Sequence, residues 1–369
     1  MAGSHSSSPA PSESGLASGS ESSHRCPNCC PEMREDDVQP EVVPRTVHLL
    51  DMPPELQLQI FFHLPNLASI APLRLVCRQL NNVYQSNREG IKLHLRHQLT
   101  EPIREYYEIL QRLKFDDDSI DYPPPGGWPN ITPEIFAPYG KTDFALSVLR
   151  HLPYTRGGTD WNSLGYKTDG CDFSTCATSS DVEGHVRWVD WHEAWLEENR
   201  LEDEGGADIS AIKHVVTLAM GHESGGIILL LDTFAGLIFE DEVRGDRRSV
   251  LSPREFCDMS RNRLERLEMV FRDHEENFEL DYKEIEKYQG DHGKLHTMQG
   301  YDRAQTDADW EPVPEDDDDE LDWHWIAHLY RKFGWPGKDY RREECKQAIE
   351  DFTTRWLDAV DALYVPDNA

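Results

Sequence analysis

The sequence predicts an α+β protein: a helical N-terminal part, then a mixed region built on an antiparallel sheet. Three observations carry that prediction. Apolar residues recur at helical spacing from Leu56 to Leu113. Farther on, "GIILLL" (226–231) is apolar on both faces, as a central strand would be; "DTFAG" then supplies a glycine-containing turn and "LIFEDE" (237–242) a returning strand. Lastly, two segments lack the apolar content to offset the entropy of ordering. These are the Ser-, Pro- and Gly-rich residues 1–44, expected as a disordered tail, and an acidic flexible insert near 280–320.

Charge narrows the function classes. Lys and Arg number 37 against 69 Asp and Glu, a net charge of −32. Such a field repels phosphate backbones and anionic lipid, so nucleic-acid and membrane partners are not expected. No apolar run reaches the ~18 residues of a membrane span. The start "MAGSHSSSPAPSESGLASGSESSH" carries neither the basic flank nor the apolar core of a secretory signal. An intracellular protein, cytoplasmic and/or nuclear, is therefore expected, with its eight cysteines as thiols. "CPNCC" (Cys26, Cys29, Cys30) supplies half a zinc set, but no second knuckle follows, so no metal and no cofactor are expected.

From Thr46 the composition turns apolar. Pro53 and Pro54 suit a first helical turn, where the missing N–H has no partner anyway. Leu56, Ile60 and Leu64 form one face, widened by Leu58, Phe61 and Phe62, and Pro65–Asn66 ends the helix. Leu73, Val76, Cys77 and Leu80 follow on a second helical face, and the pattern continues through "GIKLHLRHQL" and, after Pro102, "IREYYEILQRL". "DDDSIDYPPPGGWP" has the charge, prolines and glycines of a linker. The chain thus divides into a tail (1–44), a small helical module (45–95), a helical extension and linker (96–127) and an α+β domain (128–369). A fragment from about residue 122 is expected to fold alone.

In the last of these, "FALSVLRHLPY" reads as a helix, with Phe144, Val148 and Leu152 on one face. Trp188, Trp191 and Trp195 recur at near-helical spacing, as an aromatic core stripe. Ser252, Pro253 and Glu255 make a capping box ahead of a helix whose apolar face is read as Leu264, Leu267, Val270 and Phe271. Two further helices, separated by a turn at Gly334–Gly337, close the chain.

The segment "LLDMPPELQLQIFFHLPNLASIAPLRLVCRQLNNV" resembles the F-box, a three-helix motif, over about residues 47–90. Met52–Pro53 stand at its Leu-Pro position, Glu55, Leu56, Ile60 and Leu64 match its first helix, and Leu73, Val76, Cys77 and Arg78 match its second. Leu80 stands where an aromatic residue is common. The resemblance implies docking onto a Skp-family adaptor through Pro53, Leu56, Ile60, Leu64, Leu73, Val76 and Cys77, and through it onto a cullin–RING ubiquitin ligase. "LRHLPY" (149–154), "VVTLAMGHESGGIILLLDTFAGLIFEDE" and "LYRKFGWPG" (329–337) are similar to fungal F-box proteins whose second domain resembles the SUKH superfamily, that of the yeast cell-wall synthesis regulator. That likeness implies an α+β protein-binding scaffold.

Catalytic alternatives fail on spacing. Ser224 in "GHESGG" has His222, not glycine, two residues before it, against the nucleophile-elbow pattern. His192–Glu193 lacks a second histidine at 196, which is Leu196, so the zincin pattern is broken. No phosphate-binding G-x-x-x-x-G-K-[ST] loop occurs. Asp232, Thr233 and Gly236 read as turn chemistry, and Glu315–Glu320 as a solvated acidic run. The sequence therefore predicts a non-enzymatic substrate receptor of a ubiquitin ligase, with an unknown protein substrate. The competing class is a regulatory or immunity-type binding protein of the SUKH kind, whose F-box-like helices merely brace it.

Overall fold

The computed structural model describes residues 48–113, 120–156, 168–186, 211–221, 226–243, 247–272, 277–279 and 323–363. The tail, Cys26, Cys29 and Cys30, the tryptophans at 188, 191 and 195, His192–Glu193, Ser224 and the acidic insert all lie outside them.

A single 3₁₀ turn, Leu49–Asp51, leads into α1 (Pro54–His63), which starts on Pro54 as the sequence predicts. Next comes α2 (Leu67–Leu75), capped by the Asn66 side chain. Then α3 runs from Arg78 to Leu113 without a break, passing through Pro102. An interior proline costs a helix about 3 kcal/mol. The helix continues because both sides of that position are buried at helical spacing: Leu80, Tyr84, Ile91, Leu95 and Leu99 before it, Ile103, Tyr107 and Leu110 after it.

The sheet is an antiparallel meander in the order β3 (Thr168–Gly170), β4 (Val215–Gly221), β5 (Ile227–Asp232), β6 (Leu237–Glu242) and β7 (Arg247–Leu251). Every residue of β5 is buried, which explains the unbroken apolar run. Alternation then sorts its side chains: Ile227, Leu229 and Leu231 enter the main core with α3, while Ile228 and Leu230 join Val215 and Phe239 on the opposite face. Two separate antiparallel ribbons pair β1 (Ile120–Asp121) with β2 (Tyr154–Thr155) and β8 (Met269–Phe271) with β9 (Asn277–Glu279). Short helices α4 (Pro133–Phe136) and α5 (Asp143–Leu149) lie between β1 and β2 in sequence.

Helix α6 (Pro253–Glu265) opens on the expected capping box. Its expected apolar face needs correction. The helix ends at Glu265, Leu267 adopts a left-handed φ of 59°, and Val270 and Phe271 belong to β8. The Leu267 N–H bonds the Leu264 carbonyl and the Glu268 N–H the Arg263 carbonyl, a Schellman ending that turns the chain back. A leucine takes this glycine-like position because it is fully buried there, and burial offsets the ~1–2 kcal/mol of left-handed strain. The closing helices are α7 (Trp323–Lys332) and α8 (Arg342–Leu363).

The linker expected at 116–127 is also corrected where it is described. Ile120 is buried and its strand pairs with β2. Gly127 sits so close to the Arg150 carbonyl that a Cβ would lie 2.5 Å from it, and the Trp128 N–H donates to that same carbonyl. Proline and glycine here serve tight local geometry. The end of α3 is likewise built in: the Tyr330 hydroxyl lies within hydrogen-bond distance of the Phe271 and Leu113 carbonyls, and Arg112 donates to the carbonyls of Pro336 and Gly337. The described residues from His48 onward accordingly belong to one compact unit, and among them no second domain hangs on a flexible tether alone.

Candidate functional site

The N-terminal helical end is organised by two polar residues. Gln57, fully buried on α1, donates through Nε2 to the carbonyls of Leu49 and Met52, both at 3.1 Å, and so pins the preceding turn onto the helix. Asn66 accepts the Ser69 N–H at 2.8 Å and donates to the Ala235 carbonyl at 2.6 Å. That second bond reaches the β5–β6 turn, where Asp232 accepts the N–H groups of Phe234 and Ala235 and Gly236 takes a φ of +69°. The Ala68 N–H also bonds the Phe234 carbonyl. Turn chemistry is thus what Asp232 and Gly236 do, as their spacing predicts.

Around this frame Phe61, Ile70, Leu80 and Tyr84 make the buried contact of the three helices, with Phe61 and Tyr84 rings 5.9 Å apart. The seven residues singled out from the sequence divide about that core. Leu64, Leu73 and Cys77 are half-buried against it, and the Cys77 sulfur accepts the Leu80 N–H at the start of α3. Pro53 is exposed, Leu56 is 52% exposed, Val76 is 67% exposed, and Ile60 is half-buried. Leu80, grouped with Val76 by periodicity, points inward instead. The α2–α3 junction at Val76–Cys77 breaks the continuous helix that grouping assumes, which is why the two part.

Sequence periodicity missed two neighbours. Leu75 is 76% exposed and Leu50 is 46% exposed. Of the nine large apolar side chains exposed among the described residues, four (Leu50, Leu56, Leu75, Val76) fall within positions 50–76. Scattered exposed leucines are ordinary, but here four exposed apolar side chains fall within one short segment. The adjacent "LRLV" run in the sequence was the available signal.

Four of the five described thiols are held in the protonated form. Cys171, Cys176, Cys257 and Cys345 are buried, and burial raises each of them, Cys176 to about 11 and Cys257 and Cys345 to about 12. Among the described residues no group of three or more His, Cys, Asp or Glu side chains is placed to hold a metal, and no helix is long and apolar enough to cross a membrane.

Residues 49–88, which carry the contact of the three helices, match the F-box-like family. The chain carries an F-box-like domain, of a kind that serves as an adaptor-docking module rather than as a catalyst. It is followed by a mixed α+β region with antiparallel sheets. Comparison of the chain with curated proteins and with solved structures gives no match.

Proposed function

We propose that the chain is a substrate-receptor subunit of a Skp–cullin–RING ubiquitin ligase, acting in the cytoplasm or nucleus. The observation that carries this reading is the set of exposed apolar side chains, Leu50, Leu56, Leu75 and Val76, on the segment that matches the F-box-like family. In this reading Pro53, Leu56, Ile60 and Val76 touch the adaptor, with Leu75 and Leu50 extending the contact. Leu64, Leu73 and Cys77 hold those side chains in place from the core side. The α+β region, from about residue 128, holds a protein substrate. Its contribution to ubiquitin transfer is proximity, which raises the effective concentration of substrate lysines without supplying an acid, a base or a nucleophile. No metal or cofactor takes part.

Leu56→Asp/Val76→Asp tests the reading. Full burial of such a side chain contributes about 1.5–3 kcal/mol. Because both are between half and two-thirds exposed beforehand, docking would gain about 1–2 kcal/mol from each. Unpaired charge adds a desolvation penalty, so affinity for a Skp-family adaptor should fall by at least about a hundredfold. Co-purification of the adaptor with this variant at wild-type levels, with an unchanged urea midpoint, would refute the proposal.

One observation favours a second reading, in which the helices brace a SUKH-like regulatory binding module outside any ligase: the bonds from Asn66 and Ala68 to the β5–β6 turn tie them to the sheet. Failure of the wild-type chain to bind any Skp-family adaptor would select it.

A further inference from the structure

Between α3 and α5 lies a pocket of about 380 Å³ whose wall carries Arg88, Lys92 and Arg96 at four-residue steps along α3. In a chain of net charge −32, the nine residues from Arg88 to Arg96 hold three cations and one carboxylate. Among the described residues neither Arg88 nor Lys92 has an ion-pair partner. Arg96 donates to the Ser147 hydroxyl at 3.1 Å, a neutral acceptor. Arg150, at the end of α5, stands near Arg96, and burial first and then that second guanidinium lower the Arg96 pKa. Beside these cations stand the side chains of Leu93, which is 55% exposed, and Phe144.

We propose that this pocket binds an extended acidic segment of a protein partner, with carboxylates at alternate residues meeting Arg88, Lys92 and Arg96. The match is one of repeat lengths. Four residues of α-helix rise about 6 Å, and two residues of extended chain advance about 6.6–6.8 Å. Across three cations the two repeats diverge by about 1–2 Å, well within the reach of flexible Lys and Arg side chains. Glu89 and Asp143 also line the pocket. Successive side chains of an extended chain point to opposite faces, so three contiguous carboxylates present only two to the cation row, whereas three alternating ones present all of them. The pocket is separate from the adaptor-facing side chains, and the inference does not depend on the ligase reading.

Fluorescence anisotropy with the full-length chain at low ionic strength tests this. The probe is a labelled peptide with three Asp residues alternating with Val; the comparisons are the same composition with contiguous Asp, an Asn version, and a peptide with one phosphoserine in place of the Asp residues. The alternating peptide should bind most tightly and the Asn version not at all. Arg88→Gln/Lys92→Gln should weaken binding about tenfold, as two exposed ion pairs allow, and Arg88→Lys/Lys92→Arg should restore it. Absence of binding by the alternating peptide, equal binding of the contiguous one, or full affinity in the glutamine variant would overturn the proposal. Tighter binding of the phosphoserine peptide would overturn it in favour of a phosphate site.

Discussion

Replacing Asn66 by alanine removes two hydrogen bonds of different kinds. One caps α2 through the Ser69 N–H; the other reaches 169 residues along the chain to the Ala235 carbonyl. Loss of an N-cap costs about 1 kcal/mol, and loss of a part-buried side-chain-to-backbone bond costs about 1 kcal/mol more. Asn66→Ala should therefore destabilise the protein by about 2 kcal/mol. Asn66→Ser separates the two terms, because serine caps as well as asparagine but is too short to reach the β5–β6 turn. It should lose only about 1 kcal/mol. Urea unfolding followed by tryptophan fluorescence and by far-UV circular dichroism measures both variants, and the two probes should report one transition. A serine variant as stable as wild type would show that the bond to Ala235 contributes nothing. An alanine variant equal to the serine variant would show the same of the cap, and two separate transitions would refute the claim that these helices and the sheet unfold together.

A fragment starting near residue 122 should be insoluble or unfolded by circular dichroism. It lacks Ile103, Tyr106, Tyr107, Leu110 and Leu113, all under 5% exposed, and their burial is worth on the order of 10 kcal/mol, comparable to the whole stability of a typical domain. A cooperative melt of that fragment would contradict the packing. Stability should also fall with acid in a way that His185 explains in part. Burial holds its imidazole below the ordinary value of 6.5, only partly opposed by Asp172, and among the described residues its buried Nδ1 has no hydrogen-bond partner. Its stabilising contribution is thus present above about pH 6.5 and is lost below it, as the unfolded chain takes up the proton first. His185→Phe, beside the Phe173 ring, should flatten the decline of the urea midpoint between neutral and mildly acidic pH; an unchanged slope would remove His185 from the account.

What the sequence determined by itself is what short-range physics encodes. The 3.6-residue period announces helix on both sides of Pro102, though not that one helix runs through it and across the expected boundary at 95–96; the two-faced apolar run announces a central strand, and Ser252–Pro253–Glu255 a helix start. Each involves atoms within a few residues of one another. The F-box-like segment was legible for the same reason, since its hallmarks lie within some forty consecutive residues. Tertiary structure decided the rest. Whether Val76 and Leu80 share a surface depends on a break between α2 and α3 that periodicity does not register. Leu267 leaves the helix because a buried site rewards it for a left-handed turn, and propensity alone disfavours that conformation in leucine. A Pro- and Gly-rich stretch that reads as a tether is locked in place by the Arg150 carbonyl. Asn66 finds Ala235, and Arg88, Lys92 and Arg96 face Asp143 and Phe144, only after distant segments are brought together by burial, which is proportional to area and indifferent to sequence order.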